Sequence, residues 1–108
     1  MTILDTVKTI GEVLTQLDTI LADPSFPNSN PRWQQLYALR KHLDDQQRLL
    51  VQVDIDDSTQ DFAEATAKLK AADESLKKLG TTIAKVATAI NIVSTIASIA
   101  DQVIGLAK

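Results

Sequence analysis

The sequence has no cysteine and one histidine, which limits the chemistry it can carry out. Without cysteine there are no disulfide bonds, thiolate nucleophiles or cysteine-ligated zinc sites. His42 has no second histidine or cysteine beside which to build a zinc site or a triad, so we expect it to be a solvated side chain. The sequence also shows no glycine-rich phosphate loop and no nucleophile elbow. We therefore expect a protein that is not an enzyme, with no catalytic residue, metal site or cofactor.

Glycine, proline and aromatic residues are also scarce. There are three glycines and three prolines, and aromatic residues make up 4% of a chain that is 44% hydrophobic. An aliphatic composition of this kind favours helices over sheets. A length of 108 residues suits one compact domain with one core. We therefore expect residues 1–108 to form a single all-α domain.

Basic residues are outnumbered by acidic ones. Eleven lysines and arginines face fourteen aspartates and glutamates, which gives a net charge of −3. A nucleic-acid-binding protein needs a clustered basic surface, so we expect no nucleic-acid partner. The first residues, MTILDTVK, lack the basic start and apolar run of a signal peptide, which predicts a cytoplasmic protein while leaving leaderless export open.

The first half of the chain predicts two helices joined by a proline-rich loop. Thr2 and Asp5 form a capping-box pattern at the start of a helix over about 3–22. Its apolar residues recur every three or four positions, as on one helical face: Ile3, Val7, Ile10, Leu14, Leu17 and Leu21. The loop 23–30 contains Pro24 and Pro27 and is followed by Pro31; three prolines within nine residues cannot continue a helix. Phe26 is expected to plug one end of the core.

The second predicted helix covers about 31–53. Asn30 is a favourable N-cap, and Pro31 suits the first helical position. The inward face comprises Leu36, Leu39, Leu43, Gln46, Leu50 and Val53. Gln46 stands where an apolar residue belongs. A polar residue there can fix helix register or partner choice, but a slight rotation of the helix places it at the rim, which is the interpretation we favour.

An acidic stretch precedes the third predicted helix, which covers about 58–79. Ser58 and Asp61 give a second capping-box pattern. The acids Asp54, Asp56, Asp57 and Asp61 also invite comparison with a calcium-binding EF-hand loop. The comparison fails, because Thr59 replaces the required glycine and Ala65 replaces the bidentate glutamate. We therefore interpret these acids as helix-capping residues, with adventitious cation binding as the lesser alternative.

Two architectures follow from the joint at Gly80. Lysines before Gly80 and threonines after it are typical of one helix ending and another beginning, the latter over about 82–107. The heptad repeat nevertheless continues through this joint: Phe62, Leu69, Leu76, Ile83, Ile90, Ala97 and Ile104. An unbroken helix over 58–107 would be about 75 Å long and would need another molecule to cover it, as in a coiled coil. We favour the break, which gives an up-down-up-down four-helix bundle.

The last thirty residues are the most apolar part of the chain, with no charge between Lys85 and Asp101. Their aliphatic residues form two stripes, and a helix with two stripes can face its own chain and also a partner. The second stripe is the predicted partner-binding surface: Ile92, Ile96, Ile99, Val103 and Leu106. We expect an interaction module that self-associates as a homo-oligomer or binds another protein. The alternative is a membrane-active protein that inserts 83–107 into lipid.

Overall fold

The computed structural model describes residues 2–107, and four α-helices account for most of them. The helices are α1 (Ile3–Leu21), α2 (Pro31–Leu50), α3 (Gln60–Leu79) and α4 (Val86–Ile104), with a 3₁₀ turn at Ile83–Lys85 before α4. The predicted all-α four-helix bundle is confirmed. Each α-helix has 19 or 20 residues. Four helices of similar length can cover one another along the whole bundle.

The predicted start signals of α1 and α2 are both present. Thr2 and Asp5 form the complete capping box of α1, with Asp5 N–H donating to the Thr2 hydroxyl at 3.2 Å. Asn30 caps α2 by accepting a hydrogen bond from the Arg32 N–H at 2.9 Å. Side chains thus satisfy backbone donors that the first turn of a helix leaves unpaired.

Four predicted helix boundaries differ from the structure by two to four residues. The N-cap of α3 is Thr59 rather than Ser58, because Ser58 bonds backward to Asp56 while the Thr59 hydroxyl accepts from Phe62 N–H. Helix α2 ends at Leu50, three residues earlier than predicted. Helix α4 ends at Ile104 and starts later than predicted, since the 3₁₀ turn occupies its first residues.

The helices alternate in direction, and each packs mainly against two others. Helix α1 lies beside α2 and α3, and α4 lies beside the same two helices. Asp57 contacts the start of α1 and Gln16 contacts the end of α3, so α1 and α3 run parallel. Because α1 and α4 each lie beside both α2 and α3, the last two helices lie diagonally across the bundle, although they are consecutive in sequence. The linker 51–59 crosses one end of the bundle, which we call the linker end; Gly80 lies at the opposite end.

A single core runs along the bundle and is covered at both ends by loop residues. Helix α4 contributes nine buried residues to it, more than any other helix. Phe26 is only 3% exposed and covers the Gly80 end, which confirms the predicted plug. At the linker end, the partly buried Ile55 packs on the core and pairs with Ala107 in an isolated antiparallel bridge.

The chain reverses at Gly80, which decides between the two predicted architectures. Gly80 has φ 78° and ψ −161°, a conformation that side-chain-bearing residues rarely adopt. Its N–H still bonds to the carbonyls of Leu76 and Lys77, and its own carbonyl accepts from Gln16 Nε2. The longest dimension of the molecule is 44 Å, well short of the unbroken helix. The heptad repeat continues through the joint because both helices supply faces to the same core.

Replacing Gly80 with alanine is expected to lower the free energy of unfolding by about 1–3 kcal/mol, because the φ at this position is strained for any residue with a Cβ. Gly105→Ala is the matched control, since Gly105 has an ordinary helical φ of −63°. We expect this control to change stability by about 0.5 kcal/mol or less. Urea unfolding of both variants measures the difference. Equal stabilities would contradict the assigned turn at Gly80.

Candidate functional site

The predicted partner-binding residues on α4 lie mostly inside the bundle. Ile96 and Val103 have no exposed surface, and Ile99 is 5% exposed. Ile92 and Leu106 are partly buried and pack against the core. The second stripe is buried because α4 has neighbours of its own chain on both sides, α2 and α3. These five residues would become a contact surface only if α4 left the bundle.

The outward face of α4 is polar but uncharged. The exposed residues on α4 before Asp101 are Thr88, Asn91, Ser94, Thr95 and Ser98. The Thr95 hydroxyl donates a hydrogen bond to the Asn91 carbonyl at 3.1 Å, within its own helix. Such residues need no partner, so this face by itself indicates a solvent boundary.

Gln46 lies in the seam between α2 and α4, and our preferred placement of it at the rim is wrong. Its side chain is 3% exposed, and its Nε2 donates to the Ala97 carbonyl at 2.9 Å and to Asp101 Oδ1 at 2.7 Å. Sliding α2 along α4 by a helical turn would move the Gln46 amide away from both acceptors. Gln46 thus fixes the register of these two parallel helices, which is the role expected of an isolated polar residue in a helical core.

A buried acid lies between α1 and α3. Asp73 is 3% exposed, and Lys77 Nζ bridges it to Glu12 of α1, at 3.1 Å from Asp73 Oδ2 and 2.8 Å from Glu12 Oε2. Burial raises the pKa of Asp73 above its usual value, and the Lys77 ammonium offsets this only in part. The pKa of Glu12 is lowered, chiefly by the hydrogen bond from Lys77. Asp73 Oδ1 has no hydrogen-bond partner within the described residues.

The three charges predict opposite effects for two substitutions. Asp73→Asn removes a buried charge and leaves Lys77 paired with Glu12, so we expect stability at pH 7 to rise by about 1 kcal/mol. Lys77→Met leaves the Asp73 carboxylate without its counter-ion and is expected to lower stability by about 1–3 kcal/mol. Urea unfolding at pH 7 measures both changes. Destabilisation by Asp73→Asn would show that the buried ion pair is net favourable.

The same cluster predicts a pH dependence with a definite sign. As the pH falls through the raised pKa of Asp73, the folded state binds a proton before the unfolded state does, and the cost of the buried charge disappears. The advantage of Asp73→Asn and the loss in Lys77→Met should therefore both shrink on acidification. Glu12 has the opposite effect, because its pKa is lowered in the folded state. Its contribution to stability is lost as the pH falls from its usual pKa of about 4.5 through its lower folded-state pKa. Unfolding curves measured from pH 7 down to pH 3 follow both effects.

The surface groove around this cluster does not resemble a ligand pocket. It has a volume of about 530 Å³ between α1 and α3. Most of its lining side chains are charged: Asp5, Lys8, Glu12, Lys70, Asp73, Glu74 and Lys77. Small-molecule sites are mainly apolar with a few polar groups. The groove is better described as the charged outer edge of the α1–α3 seam.

The other polar candidates are accounted for by local structure. His42 is exposed on α2. Asp56 Oδ1 accepts hydrogen bonds from the Ser58 N–H and hydroxyl, and Asp57 Oδ2 accepts from Ile3 N–H at 3.1 Å. The residues 2–107 contain no group of three or more side chains placed to hold a metal ion.

The most exposed large apolar side chains lie at the linker end. Leu4 is 73% exposed and Val51 is 62% exposed. They border a shallow cavity of about 200 Å³, whose other walls are mostly aliphatic. We call this surface the apolar end patch; its residues are Ile3, Leu4, Val7, Leu50, Val51, Val53, Asp54 and Ile55.

The sequence pattern did not reveal this patch. Leu4 is an aliphatic residue of the first predicted helix, as are Val13 and Ile20, which are fully or almost fully buried. Val51 falls inside the predicted second helix but outside the observed one, which ends at Leu50. The patch arises where the diagonal linker leaves α2, and that crossing is a tertiary feature without a local sequence signal.

No protein-family model, curated protein or solved structure matched this chain.

Proposed function

We propose that the chain is a small, non-catalytic helical module that binds a protein partner through the apolar end patch. The observation that carries this proposal is the exposure of Leu4 and Val51, the two most exposed large apolar side chains of residues 2–107, beside an open aliphatic cavity. Each of these side chains would gain about 1.5–3 kcal/mol if a partner buried it completely. That gain favours a contact centred on this end of the molecule.

The proposed contact replaces the α4 surface expected from the pattern of residues. A specific protein interface usually buries at least about 1,000 Å², which is more than the patch alone provides. The interface would therefore extend from the patch onto the linker and the first turn of α1. A partner chain and a second copy of the protein both remain candidates at this stage.

Crosslinked capture from the native host tests the proposal. The wild type is compared with the double substitution Leu4→Gln and Val51→Gln, and with Leu49→Gln as the matched control. Leu49 is 40% exposed on α2 but does not line the cavity. We expect one partner to be captured by the wild type and the control, and to be lost with the double substitution. Identical capture by all three proteins would refute a role for the patch.

A membrane-active protein is the second candidate, favoured by one observation. Ile83–Ile104, a 22-residue helical segment with mean hydropathy 1.6 in its most apolar window, is long and apolar enough to cross a bilayer. Of that window, 44% is buried inside the bundle, so insertion would require α4 to leave its neighbours. Flotation with neutral and anionic vesicles at pH 7 and pH 5 tests this candidate. Absence of binding under all four conditions would eliminate it.

A further inference from the structure

We propose that the partner of the apolar end patch is a basic amphipathic helix, which inserts an aliphatic side chain into the cavity and places lysines or arginines on the surrounding carboxylates. This inference rests on the proposed function and adds the chemistry of the partner. It is drawn from the aspartates at the linker end, which border the apolar residues.

Three carboxylates border the patch. Asp54 lines the cavity, and it is the one charged residue among the lining side chains. Asp57 is held against the first residue of α1 by its hydrogen bond from Ile3 N–H, and Asp5 directly follows Leu4. Within residues 2–107, none of these three aspartates forms an ion pair. Lys8, one turn after Leu4 on α1, interacts electrostatically with Asp5. Asp54 and Asp57 therefore carry most of the negative charge that a cationic partner would meet.

The N-terminus of α1 is not open to an anionic partner. A helix N-terminus carries partial positive charge and attracts anions. Here the Thr2 N–H donates to Asp5 Oδ2 at 3.0 Å, and the Ile3 N–H donates to Asp57 Oδ2 at 3.1 Å. Carboxylates of the protein itself already occupy the positions that an anionic partner would use. Charge complementarity thus favours a partner with basic residues around its apolar anchor.

The size of the cavity indicates what the anchor is. A volume of about 200 Å³ lies below the range of about 300–1,000 Å³ that is usual for small-molecule sites. It suits one or two aliphatic side chains projecting from a larger surface. An amphipathic helix presents such anchors at spacings of three and four residues, with its basic residues alongside.

The same charges disfavour two other occupants. In a two-fold contact with a second copy, the same surface meets itself, so Asp5, Asp54 and Asp57 would face their own copies. Like charges brought together at an interface oppose association. An anionic lipid surface would be repelled for the same reason. A basic segment of another protein satisfies both the apolar and the acidic parts of the patch.

Three synthetic helical peptides test the proposal with the full chain. The first is an amphipathic peptide of leucine and lysine; the second has glutamate for every lysine; the third keeps lysine but has alanine for every leucine. Chemical shifts of the ¹⁵N-labelled protein locate binding, and the shift changes give the affinity. We expect the first peptide to bind at least ten-fold more tightly than either control, with changes centred on residues 3–7 and 50–57. Equal affinity for the glutamate peptide, or changes centred elsewhere, would overturn the proposal.

Matched variants separate the charges from the apolar anchor. Asp54→Asn with Asp57→Asn keeps an acceptor for the Ile3 N–H and removes two charges; we expect about ten-fold weaker binding of the leucine–lysine peptide. Leu4→Gln with Val51→Gln should weaken it by a similar factor, and Leu49→Gln should leave it unchanged. Raising the salt from 50 to 500 mM should weaken binding by the wild type more than by the asparagine variant. Binding unaffected by the asparagine substitutions would overturn the proposal.

The crosslinking experiment distinguishes failure of the basic-partner proposal from failure of the protein-binding function on which it rests. Capture that is lost with Leu4→Gln and Val51→Gln but unaffected by salt and by the asparagine substitutions would support a protein-binding patch and overturn a basic partner. Wild-type sedimentation as a dimer that the patch substitutions dissociate would also overturn it, because the occupant would then be a second copy.

Discussion

Replacing Ile96 with alanine is expected to lower the free energy of unfolding by about 2–5 kcal/mol. Ile96 lies midway along α4 with no exposed surface, in the cluster of buried residues to which all four helices contribute. Truncation removes its apolar burial and leaves a cavity, because neighbours held by the rest of the bundle collapse only in part. Urea unfolding monitored by far-UV circular dichroism measures the change.

Leu4→Ala is the matched control for this substitution, since it also truncates an aliphatic side chain on a helix. Leu4 is 73% exposed, so we expect its truncation to change stability by about 0.5 kcal/mol or less. The contrast distinguishes a core residue from a candidate binding residue. If Ile96→Ala were as mild as Leu4→Ala, α4 would not be the centre of the core, and the predicted partner surface on α4 would again be the stronger hypothesis.

A disulfide between positions 55 and 107 is expected to stabilise the protein by about 4 kcal/mol, because it would close a loop of about 50 residues in the unfolded chain. Ile55 and Ala107 face each other in an isolated antiparallel bridge, and paired residues of this kind have Cα separations compatible with a disulfide. The chain has no other cysteine, so Ile55→Cys with Ala107→Cys can form only this intramolecular bond.

The reduced form of the same variant is its control, because reduction changes the crosslink and leaves the composition intact. Thermal and urea unfolding of both forms give the difference in stability. Equal stability would contradict the bridge between the linker and the chain after α4. The crosslink also tests the membrane candidate: vesicle binding that appears only after reduction would show that α4 must leave the bundle to insert, whereas equal binding by both forms would exclude that route.

The local signals in the sequence were sufficient for most of the architecture. The caps at Thr2 and Asn30, the apolar spacing of each helix and Gly80 all depend on residues within one or two turns of each other. The four-helix arrangement was favoured because a chain reversal at Gly80 lets the same chain cover the aliphatic residues of α4, whereas an unbroken helix would need another molecule. The continuing heptad repeat was ambiguous, since consecutive helices in one bundle keep the same period as a single long helix.

Features that depend on neighbouring helices could not be predicted. Gln46 satisfies its amide hydrogens on Ala97 and Asp101, which are more than fifty residues away. The two apolar stripes of α4 have the same sequence pattern whether the second neighbour is α2, α3 or another protein. The apolar end patch depends on the diagonal path of the linker, because that path leaves Leu4 and Val51 uncovered.

Amide hydrogen exchange of α4 tests the central claim most directly, namely that this helix is fixed in the core and that binding occurs at the linker end. We expect the amides of Val93, Ile96, Ala97 and Ala100 to exchange only through global unfolding, with protection free energies equal to that from urea unfolding. Exchange of these four amides at a free energy several kcal/mol lower, with α1 and α2 still protected, would show that α4 opens independently. That result would contradict the account and return the apolar residues of α4 to the role of binding surface.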